Sequence, residues 1–269
     1  MKYFIVADIH GFYNELQTAL NEKGFDKNNE NHIFVSLGDL TDRGPDSKKC
    51  IDFVNSLERK ILIRGNHEDL IEDIFVNRYF GMHDVNNGTV HTFYQLAGLT
   101  ESSERNFALS IDLPDETIIA KVKENEPLRT YLDSCVDYAE VGNNIFVHGW
   151  IPCFDKWCSE FMHNRSWREA EPYMWKKARW LNGMSAWHNG YGIKGKTIWC
   201  GHWHSSWGHA NLHDDGIEFV SKIETFYIDE KTDKQEPHSR HDPFKDKGIV
   251  AMDACTVISG LVNCEVLEV

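Results

Sequence analysis

The residues best equipped for chemistry in this 269-residue chain are concentrated in Gly38-Asp39-Leu40-Thr41-Asp42-Arg43-Gly44, which follows the apolar run Ile33-Phe34-Val35 and precedes Pro45. Two carboxylates three positions apart, with an arginine beside the second, are a donor set for a metal ion and a phosphate. Asp39 reads as a metal bridge, Asp42 as the partner of a catalytic histidine, and Arg43 as a phosphate contact. The apolar run marks a strand, and strand ends in open α/β sheets are where ligands bind, because the loops there carry chemistry while the sheet stays rigid. The two glycines let the turn take backbone conformations that residues with a Cβ resist.

Four further loops have the same character. Asp8-Ile9-His10-Gly11 follows the apolar strand pattern of Lys2 to Ala7, and Arg64-Gly65-Asn66-His67-Glu68 follows Lys60–Ile63. His148-Gly149 ends a strand at Asn144–Val147, and Gly201-His202-Trp203-His204 ends one at Thr197–Cys200. Together Asp8, His10, Asp39, Asn66, His148, His202 and His204 make an oxygen and nitrogen ligand set with no sulfur. Such a set suits Mn²⁺, Fe²⁺ or Zn²⁺ and leaves Mg²⁺ open. The ligand count asks for two divalent ions, manganese first among these. A pair about 3.5–4 Å apart can hold a bridging hydroxide at neutral pH and neutralise a phosphoryl group under attack.

These loops must be positioned by strands that run the same way. Leu16, Ala19 and Leu20 give helical spacing from about Phe12 to Asn21, and strand, helix and strand recur through Ile33–Leu37, Lys49–Leu57 and Lys60–Ile63. Repeated βαβ units imply parallel strands with right-handed crossovers, so that their carboxyl ends share an edge. From Asp69 to about Asp137 the apolar stripes Leu70, Ile71, Ile74, Phe75 and Val90, Phe93, Tyr94, Leu96, Ala97 predict a helical insertion whose apolar residues serve packing. Beyond it, Ile217–Ile223 and Glu224–Ile228 read as strands and the polar tract Glu230–Lys247 as a long hairpin loop. Ile249–Asp253 and Val262–Leu267, around Ser259-Gly260, read as a closing β-hairpin. The nine tryptophans all lie between Trp150 and Trp207, either as an aromatic wall that stacks a substrate or as filling for a core.

Composition narrows the function. With 42 acidic against 28 basic residues the formal charge is -14, which repels nucleic acid and anionic membranes over most of the surface, so an anionic substrate needs a local positive pocket. Bound divalent cations and a few arginines would supply one. No segment approaches the roughly 20 apolar residues of a membrane span, and the amino-terminal run is too short for a signal peptide, so a cytoplasmic protein is expected. Seven scattered cysteines without a Cys-x-x-Cys pair point to reduced thiols.

Taken as a set, Asp8-x-His10, Gly38-Asp39-x-x-Asp42-Arg43-Gly44, Gly65-Asn66-His67-Glu68, His148-Gly149 and Gly201-His202-x-His204 resemble the five blocks of the calcineurin-like metallophosphoesterases. The form of the second and third blocks is similar to the phosphoprotein-phosphatase branch, which includes Ser/Thr phosphatases and bacterial diadenosine tetraphosphatases. The final Asp253 and the segment after it also resemble that branch. The resemblance implies an α/β fold, a four-layer sandwich of two mixed β-sheets flanked by helices, with the dimetal site at the carboxyl ends of the strands. It implies a single domain over 1–269, with a helical insertion at about 69–140 and cap or loop insertions at about 151–196 and 209–248.

By the same resemblance, Asp8, His10 and Asp39 bind one ion, and Asp39, Asn66, His148 and His202 the other. His204 joins the first ion or lines the rim, since many members of that branch lack it. His67 is the general acid, Asp42 fixes its tautomer, and Arg43 grips phosphate oxygens. Arg64 contacts phosphate or makes a structural salt bridge, and Arg179 supplies a further arginine, with Lys177 its rival. The implied reaction is one-step hydrolysis by a hydroxide held at the metals. The expected substrate is a phosphorylated protein, with diadenosine tetraphosphate or another nucleotide the alternative; a catalytically inert binding module would have been free to lose His67 or Asp39.

Overall fold

Alternation of apolar side chains along short strands, each facing two different cores, governs this architecture. The computed structural model describes residues 1–100, 113–153, 166–212 and 240–269. Five strands, β1 (Lys2–Val6), β2 (His32–Ser36), β3 (Lys60–Ile63), β4 (Cys135–Val136) and β10 (Cys264–Glu268), form one sheet in the order β10-β1-β2-β3-β4. A second sheet, in the order β5-β6-β7-β9-β8, contains β5 (Ala139–Val141), β6 (Asn144–Phe146), β7 (Thr197–Cys200), β8 (Phe244–Asp246) and β9 (Ile249–Ala251). In the first sheet β1 to β4 are parallel and β10 is antiparallel to β1. In the second, β6, β7 and β9 are parallel, with β5 and β8 antiparallel at the edges.

Period two along these strands gives three cores between four layers. Ile5, Ala7, Val35, Leu37 and Ile63 of the first sheet meet Phe146, Trp199, Val250 and Met252 of the second. On the opposite face of the first sheet, Phe4, Val6, Phe34 and Leu62 pack on helices. These are α1 (Tyr13–Glu22), α2 (Ser47–Ser56), α3 (Asn66–Asn77), α5 (Thr89–Leu96), α6 (Asp115–Lys123) and α7 (Glu126–Ser134), while the short α4 (Met82–Asn87) buries nothing. Ile145, Ile198, Cys200 and Ile249 cover the outer face of the second sheet with α8 (Pro172–Ala178) and α9 (Gly183–His188), and α10 (Ser205–Leu212) packs beside them. The four-layer α/β sandwich of two mixed sheets is thus as expected.

Several elements depart from expectation. The closing hairpin does not form. β9 and β10 belong to different sheets, joined through the short helix α11 (Thr256–Ser259), because β9 already has β7 and β8 on its two sides. The helical insertion ends at Ser134 rather than near 140, since Cys135–Val136 and Ala139–Val141 complete the edges of the two sheets. Phe244–Asp246, placed in a loop from its polar surroundings, is an edge strand anchored by the fully buried Phe244. The proposed strands at Ile217–Ile223 and Glu224–Ile228, and Trp157, lie outside the described residues. Trp150 and Trp175 fill the outer core and Trp199 the space between the sheets, whereas Trp180 and Trp203 are exposed.

Six cysteines are free among the described residues. No helix among those residues is long and apolar enough to cross a membrane.

Phe146 is fully buried between the two sheets, with its ring 6.2 Å from that of Trp199. Truncation of a buried phenylalanine leaves a cavity as well as losing transfer energy, so Phe146→Ala is expected to cost about 3–5 kcal/mol in urea unfolding. A loss below about 1 kcal/mol would mean that the two sheets are not held by this core.

Candidate metal centre

The carboxyl ends of β1, β2, β3, β6, β7 and β9 meet on one edge, and the polar loops that follow them interlock. His10 N–H donates to the carbonyl of Asp39 (2.9 Å), and Gly201 N–H donates to that of His148 (2.7 Å). His202 N–H reaches across to both oxygens of Asp8 at 3.0 Å, which ties the second sheet to the first. Asp8, His10, Asp39, Asp42, Arg43 and His202 all have positive φ, between 49° and 76°. The left-handed region costs most L-residues energy and is best tolerated by Asn, Asp and His, so these loops turn sharply where their side chains must converge. Gly38, at φ 102°, is one position where a side chain would not fit: a Cβ would lie 2.7 Å from His148 Nδ1.

Asp39 lies at the centre, almost fully buried. Its Oδ2 is 3.8 Å from His10 Nε2 and 3.8 Å from His67 Nε2, while its Oδ1 is 3.4 Å from His148 Nε2 and accepts the His67 backbone N–H at 3.0 Å. Two donor groups result, His10, Asp39 and His67 on one side and Asp39, His148 and His202 on the other. Asn66 joins the second through Oδ1, 2.8 Å from His148 Nε2. Asp8 and His204 stand outside these tight groups. Asp8 faces the site through its bonds to His202, and His204 lies near Asp253.

The remaining nitrogens of the imidazoles are anchored. His10 Nδ1 meets the carbonyl of Thr41 (3.1 Å) and His148 Nδ1 that of Leu37 (2.7 Å), which leaves Nε2 of each aimed at Asp39. Such outer hydrogen bonds orient histidines as ligands. Glu68 clamps the β2 and β3 loops together: its Oε2 accepts the N–H groups of Asp39 and Gly65, and its Oε1 accepts the N–H of Leu40 and the O–H of Tyr131.

Electrostatics supports a cation site. Burial pushes Asp8 well above the usual carboxylate range, and the neighbouring charges of Asp253 and Asp39 add to this. Burial also works against the charge of Asp39, yet His148 and His67 outweigh it and hold that carboxyl well below its ordinary value. Burial pulls His148 down, but Asp39 and Asp8 together push it up to about 10. Burial, and after it the neighbouring His148, take His202 down to about 3. Crowded buried carboxylates among oriented imidazoles, without sulfur, fit divalent metal ions.

His67 sits beside this centre with a different set of partners. Its Nδ1 is 2.6 Å from Asp42 Oδ2, and its Nε2 is 3.3 Å from the Arg43 guanidinium. A guanidinium only donates, so Nδ1 carries the proton toward Asp42 and the Nε2 lone pair faces Arg43. Burial lowers the pKa of His67, but Asp39 and the Asp42 bond more than compensate, and the net direction is up.

Arg43 is exposed, whereas the other candidate cations are engaged elsewhere. Arg64 pairs with Glu72 (2.7 Å) and donates to the carbonyl of Leu132. Arg179 is buried and binds Asp69 (2.8 Å) and Asp137, and Lys177 lies over the Tyr173 ring.

Two features were not anticipated, and a third gains its setting only in the structure. Thr89 and Thr92 of the helical insertion donate to Asp42, each at 2.7 Å, from positions 47 and 50 residues away. Glu68 acts as a clamp between loops. Asp253, at the end of β9, is a buried carboxylate whose charge reaches both Asp8 and Asp39. The sequence marks Asp253 through the family resemblance, without showing its proximity to Asp8 and Asp39.

Residues 1–206 match the model of the calcineurin-like phosphoesterases. The chain belongs to that family. It is 41% identical over 69 residues to the symmetrical bis(5'-nucleosyl)-tetraphosphatase of Proteus mirabilis, covering 25% of this chain and 24% of that protein. It is 40% identical over 70 residues to serine/threonine-protein phosphatase 1 of Salmonella typhimurium, covering 26% and 31%. The matched stretch is therefore about a quarter to a third of the length of these relatives. Among solved structures, the cold-active protein-tyrosine phosphatase of a Shewanella species aligns with a TM-score of 0.56 at 15% identity, over 99% of this chain and 75% of that one. A crystal structure provisionally named a diadenosine tetraphosphatase aligns at 0.51 with 16% identity, over 99% and 89%. At such identities the likeness concerns the fold.

Because the two oxygens of Asp39 face different donor groups, Asp39→Asn is expected to lower the metal content of purified protein as well as its turnover. Elemental analysis that still finds two ions per chain would rule out Asp39 as the shared ligand.

Proposed function

We propose that this chain is a metal-dependent phosphoric ester hydrolase that acts as a Ser/Thr phosphatase-like phosphomonoesterase. The observation that carries this reading is the convergence of Arg43 and His67, 3.3 Å apart, at the edge of the Asp39-centred donor groups. Asp8, His10 and Asp39 would hold one divalent ion, with His204 as a further donor, and Asp39, Asn66, His148 and His202 the other. Bound there, such ions, manganese foremost, would supply Lewis acidity for the phosphoryl oxygens and for the attacking water.

The chain's own groups do the rest. Arg43 offers paired N–H donors to the phosphate oxygens in a fork that suits their geometry. Arg43 then leaves Nε2 of His67 free to carry a proton and deliver it to the departing oxygen. Asp42 holds Nδ1 and stabilises the imidazolium. Arg64 and Arg179 support the site through Asp69, which lies between them at 3.8 and 2.8 Å. Their direct contact with phosphate would require one of them to exchange a carboxylate for the substrate.

A second reading, hydrolysis of a dinucleoside polyphosphate, is favoured by one observation. Trp180 is 44% exposed, its ring lies 5.6 Å from that of His202, and the His83 ring is 6.4 Å away. An aromatic surface beside a phosphate site suits a base. Parallel assays with Mn²⁺ on a phosphoserine peptide and on diadenosine tetraphosphate separate the two substrates.

A general acid contributes about 10²–10⁴-fold, and only where the leaving group needs a proton. His67→Asn should therefore lose most activity on phosphoserine peptide while keeping most of it on p-nitrophenyl phosphate, with metal content unchanged. Equal losses on both substrates would remove His67 from the acid role.

A further inference from the structure

Asp42 is held from a direction that the metal loops do not explain. Its carboxylate is fully buried and takes three hydrogen bonds, from Thr89 Oγ1 and His67 Nδ1 to Oδ2 and from Thr92 Oγ1 to Oδ1. Thr89 and Thr92 are the first and fourth residues of α5, hence on one helix face, and neither is exposed. The helix comes this near because residue 88 is a glycine: a Cβ there would sit 2.5 Å from the backbone nitrogen of Arg43. The N–H of Asp42 in turn points to Ser47 Oγ and Thr92 Oγ1, each at 3.1 Å.

Counting protons fixes the direction of this chain. A threonine hydroxyl has one hydrogen, and Thr92 gives it to Asp42, so the 3.0 Å contact between Ser47 and Thr92 must be a donation by Ser47. The order is Ser47 to Thr92 to Asp42 Oδ1, while Thr89 and His67 share Oδ2.

We propose that Thr89 and Thr92 are positioning residues for the acid: by anchoring both oxygens of Asp42 they fix the plane of its carboxylate and present Oδ2 to His67 Nδ1. This rests on the proposed role of His67. The insertion that carries α5 thereby sets the orientation of the acid, although none of its described residues is among the proposed metal ligands. Loss of the Thr92 hydroxyl leaves Oδ1 buried without its donor, and the carboxylate turns to recover one. His67 then loses its guide, and proton delivery fails while phosphate and metal binding persist.

The test uses the full chain loaded with Mn²⁺ and a series of aryl phosphates of rising leaving-group pKa, in wild type, Thr92→Val, Thr92→Ser, Thr89→Val and His67→Asn. Thr92→Val is expected to lose kcat by up to about 10²-fold on phenyl phosphate, a share of what a general acid supplies, and little on 2,4-dinitrophenyl phosphate. KM and metal content should hold, and Thr92→Ser, which restores the hydroxyl, should restore the wild-type dependence. A second readout needs no turnover. In metal-free protein the low-field proton resonance of the His67–Asp42 bond, assigned by its absence in His67→Asn, should persist in Thr92→Ser and move upfield or vanish in Thr92→Val. Thr89→Val probes the other oxygen and serves in place of Thr92→Val if that variant does not fold. Wild-type leaving-group dependence and resonance in the valine variants would overturn the positioning role alone, provided His67→Asn shows the acid pattern. A flat dependence in His67→Asn would overturn the acid role and the proposal with it.

Discussion

The structure depends on one electrostatic constraint: several carboxylates and imidazoles must be buried together at the edge where two sheets meet. Asp8, Asp39 and Asp253 are all nearly inaccessible, and water cannot screen them. Buried charge is tolerable only with partners, and the partners come from both halves of the molecule. His148 and His202 rise from the second sheet, and His10 and His67 from the first. The sandwich core between the sheets sets the distance between these groups, and the site in turn ties the sheets at their carboxyl ends. Sharp turns with positive φ at Asp8, His10, Asp39, Asp42, Arg43 and His202 are the local cost, of order 1–3 kcal/mol at such positions. Glu68 and the loop-to-loop hydrogen bonds hold that strain in place.

Much of this was legible in the sequence because its signals are local. A short apolar run followed closely by Asp, His or Asn needs no knowledge of distant contacts, and five such strand ends located the candidate metal donors. Both four-residue strands Lys60–Ile63 and Thr197–Cys200 fall where their apolar runs predict. What was not legible is non-local. Thr89 and Thr92 look like polar positions on a packing helix until the chain brings them against Asp42. The end of the chain read as a hairpin because two apolar runs flank a Ser-Gly turn, yet sheet pairing is decided by which edges are open. β10 found one beside β1, and β9 lay between β7 and β8. The tryptophans likewise have no single role, since burial depends on which side of a sheet each one leaves.

Three arginines near the site illustrate how context decides what a charge does. Arg64 and Arg179 both bind Asp69, which burial raises to about 6 against the pull of those two cations. The three form a bridge between α3 and the end of α8. Arg43 alone of these remains exposed, on a strained backbone directly after Asp42, with its guanidinium at His67. In the proposed reaction, phosphate recognition and proton delivery would thereby be linked through adjacent residues, and the threonines of α5 hold Asp42 from behind.

The central claim of the proposal is that the Asp39 carboxylate lies between two cation sites and that His67, although its Nε2 stands 3.8 Å from Asp39 Oδ2 within the first donor group, serves as the acid and not as a metal ligand. Crystals grown with Mn²⁺ and measured at the manganese absorption edge test it most directly. The account predicts two anomalous peaks flanking Asp39, one facing Oδ2 beside His10 and Asp8, the other facing Oδ1 beside Asn66, His148 and His202. His67 should remain on Asp42. A single peak, or a manganese ion bound to His67 Nε2, would contradict it.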